Sequence, residues 1–265
     1  MDYKIITNDV TGLVKETGAF IRENVKLITK ENINSKGVHD FVTYVDQTSE
    51  KKLVKGLSVI IPHAGFIVEE NTIDKKSSEL NWVIDPLDGT TNYIHGLSPY
   101  SISVALMDGK EEVLLGVVYD PVADECFSAS KYSPAFLNNE PIIVSSTPYV
   151  KDSLIATGFP YYDYIRIKPF LQTLEFFMTN SHGIRRLGSA AIDLAYVACG
   201  RFDAFYEYSL SPWDVAAGVL IVKQAGGKVS DFSGGQNFIF GREIIATNMN
   251  IFHEFSKKVG DIMRI

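Results

Sequence analysis

At 265 residues and 46% hydrophobic content, the chain can bury a full core, either as one large domain or as two halves. Its net charge of −7 gives no basic face for nucleic acid or an anionic membrane surface, so an acidic chain that handles an anion has to recruit cations. Cys126 and Cys199 are too few and too far apart for a disulfide framework or a zinc site; no apolar stretch approaches a membrane span, and Met1-Asp2-Tyr3-Lys4 lacks signal-peptide character, so a cytoplasmic protein is expected.

Asn8-Asp9 ahead of Val10, Leu13, Val14, Phe20, Ile21 and Val25 predicts a capped amphipathic helix, and a second helix is expected from Asp46 to Leu57. Gly65 to Val68 reads as a short strand ending in Glu69-Glu70, followed by a polar loop to Leu80 and an apolar strand at Trp82. From Ser101 the apolar residues alternate: Ile102, Val104 and Leu106, a turn at Asp108-Gly109-Lys110, then Leu114 to Tyr119, which is a hairpin of an antiparallel sheet. Glu125 to Ala129 and Ala135 to Leu137 form another, with a further turn at Asn138-Asn139.

After Val144 to Pro148, which has linker character, strands and helices alternate, so two parts are expected: an α+β part over 1–145 and an α/β part over 146–265. The second contains strands at Leu154 to Thr157 and Ala204 to Tyr208, and helices at Tyr164 to Met178, Ser189 to Ala198 and Trp213 to Ala225. Ser211-Pro212-Trp213-Asp214 is a well-formed start for the last helix, and Gly226-Gly227 stops it.

The most telling run is Trp82-Val83-Ile84-Asp85-Pro86-Leu87-Asp88-Gly89-Thr90-Thr91-Asn92. Asp-Pro and Asp-Gly are ordinary turn dipeptides, yet ending a buried strand in two acids is costly unless something positive compensates. Two carboxylates three residues apart can face neighbouring cations, and the Gly-Thr-Thr segment offers backbone N–H groups and hydroxyls to phosphate oxygens. Oxygen ligands favour a hard ion such as Mg²⁺.

Acids also stand at the ends of other elements: Asp46, Glu69-Glu70 and Asp214. Taken singly, Asp46 and Asp214 read better as helix-capping acids, and Glu69-Glu70 can be a solvated strand end. If these groups converge, their repulsion raises the pKa of some members and divalent cations reverse the effect. Bound metals then supply an activated water and a partner for the leaving oxygen, which phosphomonoester hydrolysis requires. A haloacid-dehalogenase-type aspartyl nucleophile needs D-x-D-G-T; here two residues, Pro86 and Leu87, separate the acids, and strand alternation then turns them to different sides, which favours attack by water. The spaced oxygen ligands of an EF-hand are missing.

Together with Trp213-Asp214-Val215-Ala216-Ala217-Gly218, the Trp82 to Asn92 run resembles the inositol monophosphatase family of Mg²⁺-dependent, lithium-sensitive phosphatases. Lys36 to Asp46, Glu69-Glu70 and Gly188-Ser189-Ala190-Ala191 stand in the expected order, so the likeness spans about Lys36 to Gly227. The resemblance implies a layered α/β/α/β/α sandwich of the inositol monophosphatase and fructose-1,6-bisphosphatase type, with an antiparallel sheet first, a mixed sheet second, and the active site between the halves. It implies homodimers, and two or three Mg²⁺ ions.

By the same resemblance, Glu69, Asp85 and the Leu87 carbonyl bind a first Mg²⁺, and Asp85, Asp88 and Asp214 bind a second. Glu69 with a Thr90–Asp46 pair orients or deprotonates the water. Gly89, Thr90 and Thr91 hold phosphate; Gly188, Ser189, Ala190, Glu207 and Asp214 meet the rest of the substrate. Glu70 and Lys36 are candidates for a third metal or for closing over the site. On their own, Glu207 reads as a strand-end acid, Gly188 to Ala190 as a tight helix start, and Lys36 as a loop lysine.

The expected reaction is hydrolysis of a small phosphomonoester, with myo-inositol-1-phosphate the leading substrate. The alternatives are 3′-phosphoadenosine 5′-phosphate, fructose 1,6-bisphosphate and histidinol phosphate. A different kind of role, regulatory partner of the transcription machinery, is carried by some bacterial relatives; Arg185-Arg186 is a small basic patch that suits such a contact or ordinary surface.

Overall fold

The computed structural model describes residues 1–25, 33–37, 40–160 and 163–264. Helix α1 (Tyr3–Asn24) starts earlier than its apolar stripe suggests, because the Asp2 carboxylate accepts the Lys4 and Ile5 N–H groups and caps it there. A two-stranded ribbon, β1 (Ile33–Gly37) and β2 (Asp40–Thr43), leads into α2 (Tyr44–Ile60). That helix is capped by Thr43, not Asp46: Val45 N–H donates to the Thr43 hydroxyl, and Asp46 reaches back to the Thr43 N–H at 2.8 Å.

Seven strands then form one sheet in chain order: β3 (Gly65–Val68), β4 (Leu80–Asp88), β5 (Ser101–Asp108), β6 (Val113–Asp120), β7 (Glu125–Ser130), β8 (Ala135–Leu137) and β9 (Glu140–Ile142). A short helix, α3 (Thr90–Ile94), follows β4. The sheet is not wholly antiparallel as expected: β3 runs parallel to β4, and only the pairs from β4 onward alternate.

The second sheet has the order β11-β10-β12-β14-β13, from β10 (Leu154–Thr157), β11 (Gly183–Arg185), β12 (Ala204–Tyr208), β13 (Lys228–Ser230) and β14 (Glu243–Thr247). It is mixed, with β10 parallel to both neighbours and β14 antiparallel to both of its own. Helices α4 (Ile167–Asn180), α5 (Ala190–Ala198), α6 (Pro212–Gln224) and α7 (Phe252–Met263) complete the chain.

Strand alternation sorts the layers. In β4, Trp82 and Ile84 join the core under α1 and α2, whereas Val83 joins the core shared with α5 and α6. In β12, Tyr206 and Tyr208 pack toward α4 and α7, and Phe205 toward α5 and α6. The layers are thus α1/α2, first sheet, α5/α6, second sheet, α4/α7, a mixed α/β sandwich. The middle layer is close-packed on small residues: a Cβ at Gly116 of β6 would stand 2.7 Å from the Ala217 carbonyl oxygen of α6.

Candidate active site

Between the two sheets, at the ends of β4, β12 and α6, lies a cleft of about 620 Å³. Glu69, Glu70, Asp85, Leu87, Asp88, Gly89, Thr90 and Thr91 line it from the first sheet. Gly188, Ser189, Ala190, Glu207 and Asp214 line it from the second half of the chain. Asp46 stands behind this surface, and the role considered for the Lys36 side chain lies outside the described residues.

How β4 delivers two acids to one side corrects the expectation from alternation. Strand β4 continues through Asp88, so the acids stand on a strand end and not on a turn. Asp85 pairs with Ser103 and Asp88 with Ser101, three steps on β4 against two on β5. This bulge absorbs the extra residue, and the two acids face the same side. The argument from parity against an aspartyl nucleophile therefore fails at this point of the chain. Leu87 N–H donates to Asp85 Oδ1 at 2.9 Å, which fixes the carboxylate within the bulge.

Asp88 joins the halves. Its Oδ2 accepts Ser189 Oγ at 2.6 Å and Ala191 N–H at 2.8 Å, at the start of α5. Asp214 is the third residue of α6 and accepts the Ser211 N–H at 2.7 Å. Asp46 and Asp214 are thus both acids of capping boxes, and Asp214 also lines the cleft. Thr90 Oγ1 lies 3.1 Å from Asp46 Oδ1 and 3.0 Å from the Leu87 carbonyl, while Thr43 Oγ1 donates to the other Asp46 oxygen at 2.5 Å.

Two glycines let the segments meet. Gly89, at φ +95°, would place a Cβ 3.1 Å from the Gly188 carbonyl and 3.2 Å from that of Pro99. Asn92 fastens this junction, its amide donating to the Pro99 and Leu187 carbonyls at 2.8 Å each.

Burial, then repulsion from Glu69, Asp88 and Asp214, holds the Asp85 pKa well above the usual carboxylate range. Burial lifts Asp88 to about 6 against the opposing bonds from Ser189 and Ala191, and burial with the neighbouring Asp88 lifts Asp214 to about 7. Asp46 is raised by burial too, against the bonds from Thr43 and Thr90. Packing three such acids together is unfavourable without cations, and the donor set, carboxylates plus the Leu87 carbonyl, is all oxygen. Among the described residues, no three acidic, histidine or cysteine side chains close into a cage around an ion.

The same cleft is lined by residues that the sequence did not single out. Asp193 of α5 is buried, its Oδ1 has no partner among the described residues, and burial together with Glu207 and Asp88 raises its pKa well above normal. Arg186 lines the cleft with its guanidinium 5.4 Å from the Phe159 ring, so this half of the Arg185-Arg186 pair is a cavity residue and not surface. Its charge opposes the upward shifts of Asp88, Asp193 and Glu207. The Glu207 carboxylate rests against Gly158, where a Cβ would fall 1.9–2.2 Å from its atoms. Asp193 was concealed in a run of small apolar helix residues, where its acid was the only signal.

A profile of the inositol monophosphatase family matches residues 2–263. The chain is 38% identical over 228 residues to an inositol-1-monophosphatase of Mesorhizobium japonicum, covering 86% of this chain and 85% of that one. It is 41% identical over 225 residues to a protein named putative Nus factor SuhB of Neisseria meningitidis serogroup B, covering 84% and 86%. The solved structure of an IMPase of Thermotoga maritima superposes with a TM-score of 0.87 at 35% identity, covering 99% of this chain and 98% of that one.

Proposed function

The chain belongs to the inositol monophosphatase family and is a phosphomonoester hydrolase, and we propose that it converts myo-inositol-1-phosphate to inositol and phosphate with two or three Mg²⁺ ions and water as the nucleophile. The observation that supports this reading is the meeting, in one cleft, of Glu69, Asp85, Asp88 and Asp214 with Asp193 and Glu207.

In this reading Glu69, Asp85 and the Leu87 carbonyl hold one Mg²⁺, and Asp85, Asp88 and Asp214 another, with Glu70 available to a third. Bound there, Mg²⁺ supplies Lewis acidity toward the water and charge compensation for the leaving oxygen. Thr90, donating its proton to Asp46, turns a lone pair to the cleft and orients the water, and Glu69 accepts the water's proton. The backbone at Gly89, Thr90 and Thr91 steadies the phosphoryl group. Attack on phosphorus breaks the bond to the alcohol oxygen on the opposite side, that oxygen takes a proton from solvent water to leave as the alcohol, and Glu207, with Gly188 to Ala190, receives the alcohol's other hydroxyls.

The enzyme acts in the cytoplasm in this proposal, in keeping with two free cysteines. Among the described residues no helix is long and apolar enough to cross a membrane. The homodimer that the family resemblance implies is part of this proposal and is checked by light scattering. Phosphate release from inositol-1-phosphate, 3′-phosphoadenosine 5′-phosphate, fructose 1,6-bisphosphate and histidinol phosphate, with Mg²⁺, without it and with Li⁺ added, tests the whole reading. Inositol-1-phosphate is expected to be the best substrate, with loss of activity on Mg²⁺ removal and inhibition by Li⁺. Preference for another phosphate would replace the substrate alone; no release from any would end the enzymatic reading of this chain.

A second reading, regulatory partner of the transcription machinery, is favoured by the Nus factor names of relatives such as the Neisseria protein. Binding to purified RNA polymerase by a variant unable to hydrolyse phosphate is the expected sign of that role. Absence of binding by both variant and parent would remove it.

A further inference from the structure

Glu50 lies on α2 one turn after Asp46, on the same face of the helix, and is fully buried. Its two carboxylate oxygens accept two backbone N–H groups of a single short segment: Oε2 takes Glu70 N–H at 2.7 Å and Oε1 takes Thr72 N–H at 2.8 Å. Between these points Asn71 adopts φ +52°, a left-handed conformation, and its side-chain amide donates to the Glu69 carbonyl at 3.1 Å. The segment that leaves β3 is thereby held at three places around Glu69, which lines the cleft.

We propose that Glu50 is a positioning residue for metal binding, acting through the backbone of Glu70 and Thr72 to hold Glu69 at the angle at which its carboxylate meets a divalent cation. The inference rests on the reading of Glu69 as a Mg²⁺ ligand. The chemistry requires a carboxylate at this point. Two N–H groups arrive from the same segment, and only a group with two acceptors and no donor satisfies both. Glutamine would turn an NH₂ toward one of them; an apolar residue would orphan both and release the turn. Helix α2 then serves both sides of the proposed water site: Asp46 holds Thr90, and Glu50 one turn later holds the Glu69 segment.

The test compares the parent with Glu50→Gln, Glu50→Asp and Ser49→Ala. Ser49 is the neighbouring buried side chain, its hydroxyl has no partner among the described residues, and it controls for disturbance of the helix. Two readouts are needed: the Mg²⁺ concentration for half-maximal hydrolysis, and Mg²⁺ affinity by calorimetry without substrate. Glu50→Gln is expected to weaken both by about 10- to 100-fold, the range found when partners orienting metal ligands are lost. KM for the phosphate ester at saturating Mg²⁺ is expected to stay within about twofold, because the alcohol end is untouched. Glu50→Asp, one methylene shorter, should fall between, and Ser49→Ala should match the parent.

Parent-like Mg²⁺ affinity in Glu50→Gln overturns the proposal, including the case where its melting temperature falls, since that is a purely structural residue. If Glu50→Gln does not fold, parent-like Mg²⁺ affinity in Glu50→Asp overturns it instead. A parent that neither binds nor requires Mg²⁺ refutes the metal reading itself, an outcome distinct from a Mg²⁺-dependent parent with an indifferent Glu50.

Discussion

At the proposed metal end of the cleft, Asp85, Asp88 and Asp214 each accept a backbone N–H, from Leu87, Ala191 and Ser211. At the other end Asp193 Oδ1 has no partner among the described residues, and the Glu207 carboxylate abuts the bare Cα of Gly158. Acids pinned by the backbone keep their angles whatever occupies the site, which suits a bond-breaking step repeated on every substrate. An oxygen the chain does not claim, such as Asp193 Oδ1, keeps acceptor capacity for a ligand's hydroxyl. On the proposed reading, the contrast separates the bond broken, set by the first group of acids, from the alcohol selected, set by the second.

The largest effect expected from breaking this division is at Asp88. Asp88→Asn keeps the size of the side chain and removes a charge from the proposed metal end; kcat should fall at least ~1000-fold, about 4 kcal/mol, on every phosphate ester. Phosphate release at saturating Mg²⁺ measures it, and a loss confined to inositol-1-phosphate would mean that the two ends are not separable.

Glu207→Ala should cost about 10- to 100-fold in kcat/KM on inositol-1-phosphate, the worth of a hydrogen bond to a charged group. A simple aryl phosphate should change by no more than about twofold. Equal losses on both would deny Glu207 its part in choosing the alcohol. Gly158→Ala inserts a methyl where the Glu207 carboxylate lies, so the same selective pattern is expected at about 10-fold. Indifference to that methyl would show that the Glu207 carboxylate has other positions open to it.

The smallest effect is a pH dependence. Burial raises Asp88 to about 6 and Asp214 to about 7 from a usual 3.8, so the folded chain without metal keeps protons that the unfolded chain has released. Their contribution to stability is therefore present at low pH and is lost as pH rises from about 4 to about 7. In the proposed site Mg²⁺ binds the ionised carboxylates, so the melting-temperature gain on adding it should grow by several degrees between about pH 5 and pH 8. A gain independent of pH would indicate that these acids do not hold the ion.

Much of this was legible in the chain. The apolar run into Asp85 and Asp88 announced both a buried strand and its unusual end, and Ser211-Pro212-Trp213-Asp214 announced a helix whose third residue is the partner acid. Hydrophobic period gave β5 to β8 and placed α5 and α6 within a residue or two. What stayed hidden depended on pairing in space. The β4 bulge exists only against β5, so counting along one strand gave the wrong parity for Asp85 and Asp88. Glu50 sits in a helix beside Lys51 and Lys52 and looks like a solvated acid until the Glu70 segment is folded over it. Arg186 pointed inward for the same reason, since nothing local distinguishes it from the exposed Arg185. The start of α1 was misplaced because the Asp2 cap lies ahead of the apolar stripe.

Gly89 and Gly188 approach with no side chain between them, at a distance that a single Cβ would crowd to 3.1 Å. The spacing between the two halves of the cleft is therefore gauged by the thickness of two peptide backbones, a dimension that drift in surrounding side chains leaves unaltered. Any larger residue at position 89 acts as a wedge, and because Asp88 is tied across the same seam to Ser189 and Ala191, the wedge would shift the end of β4 and the start of α5 together. On the proposed reading, changes around Asp193 and Glu207 retune selectivity while this gauge keeps the reacting groups in register.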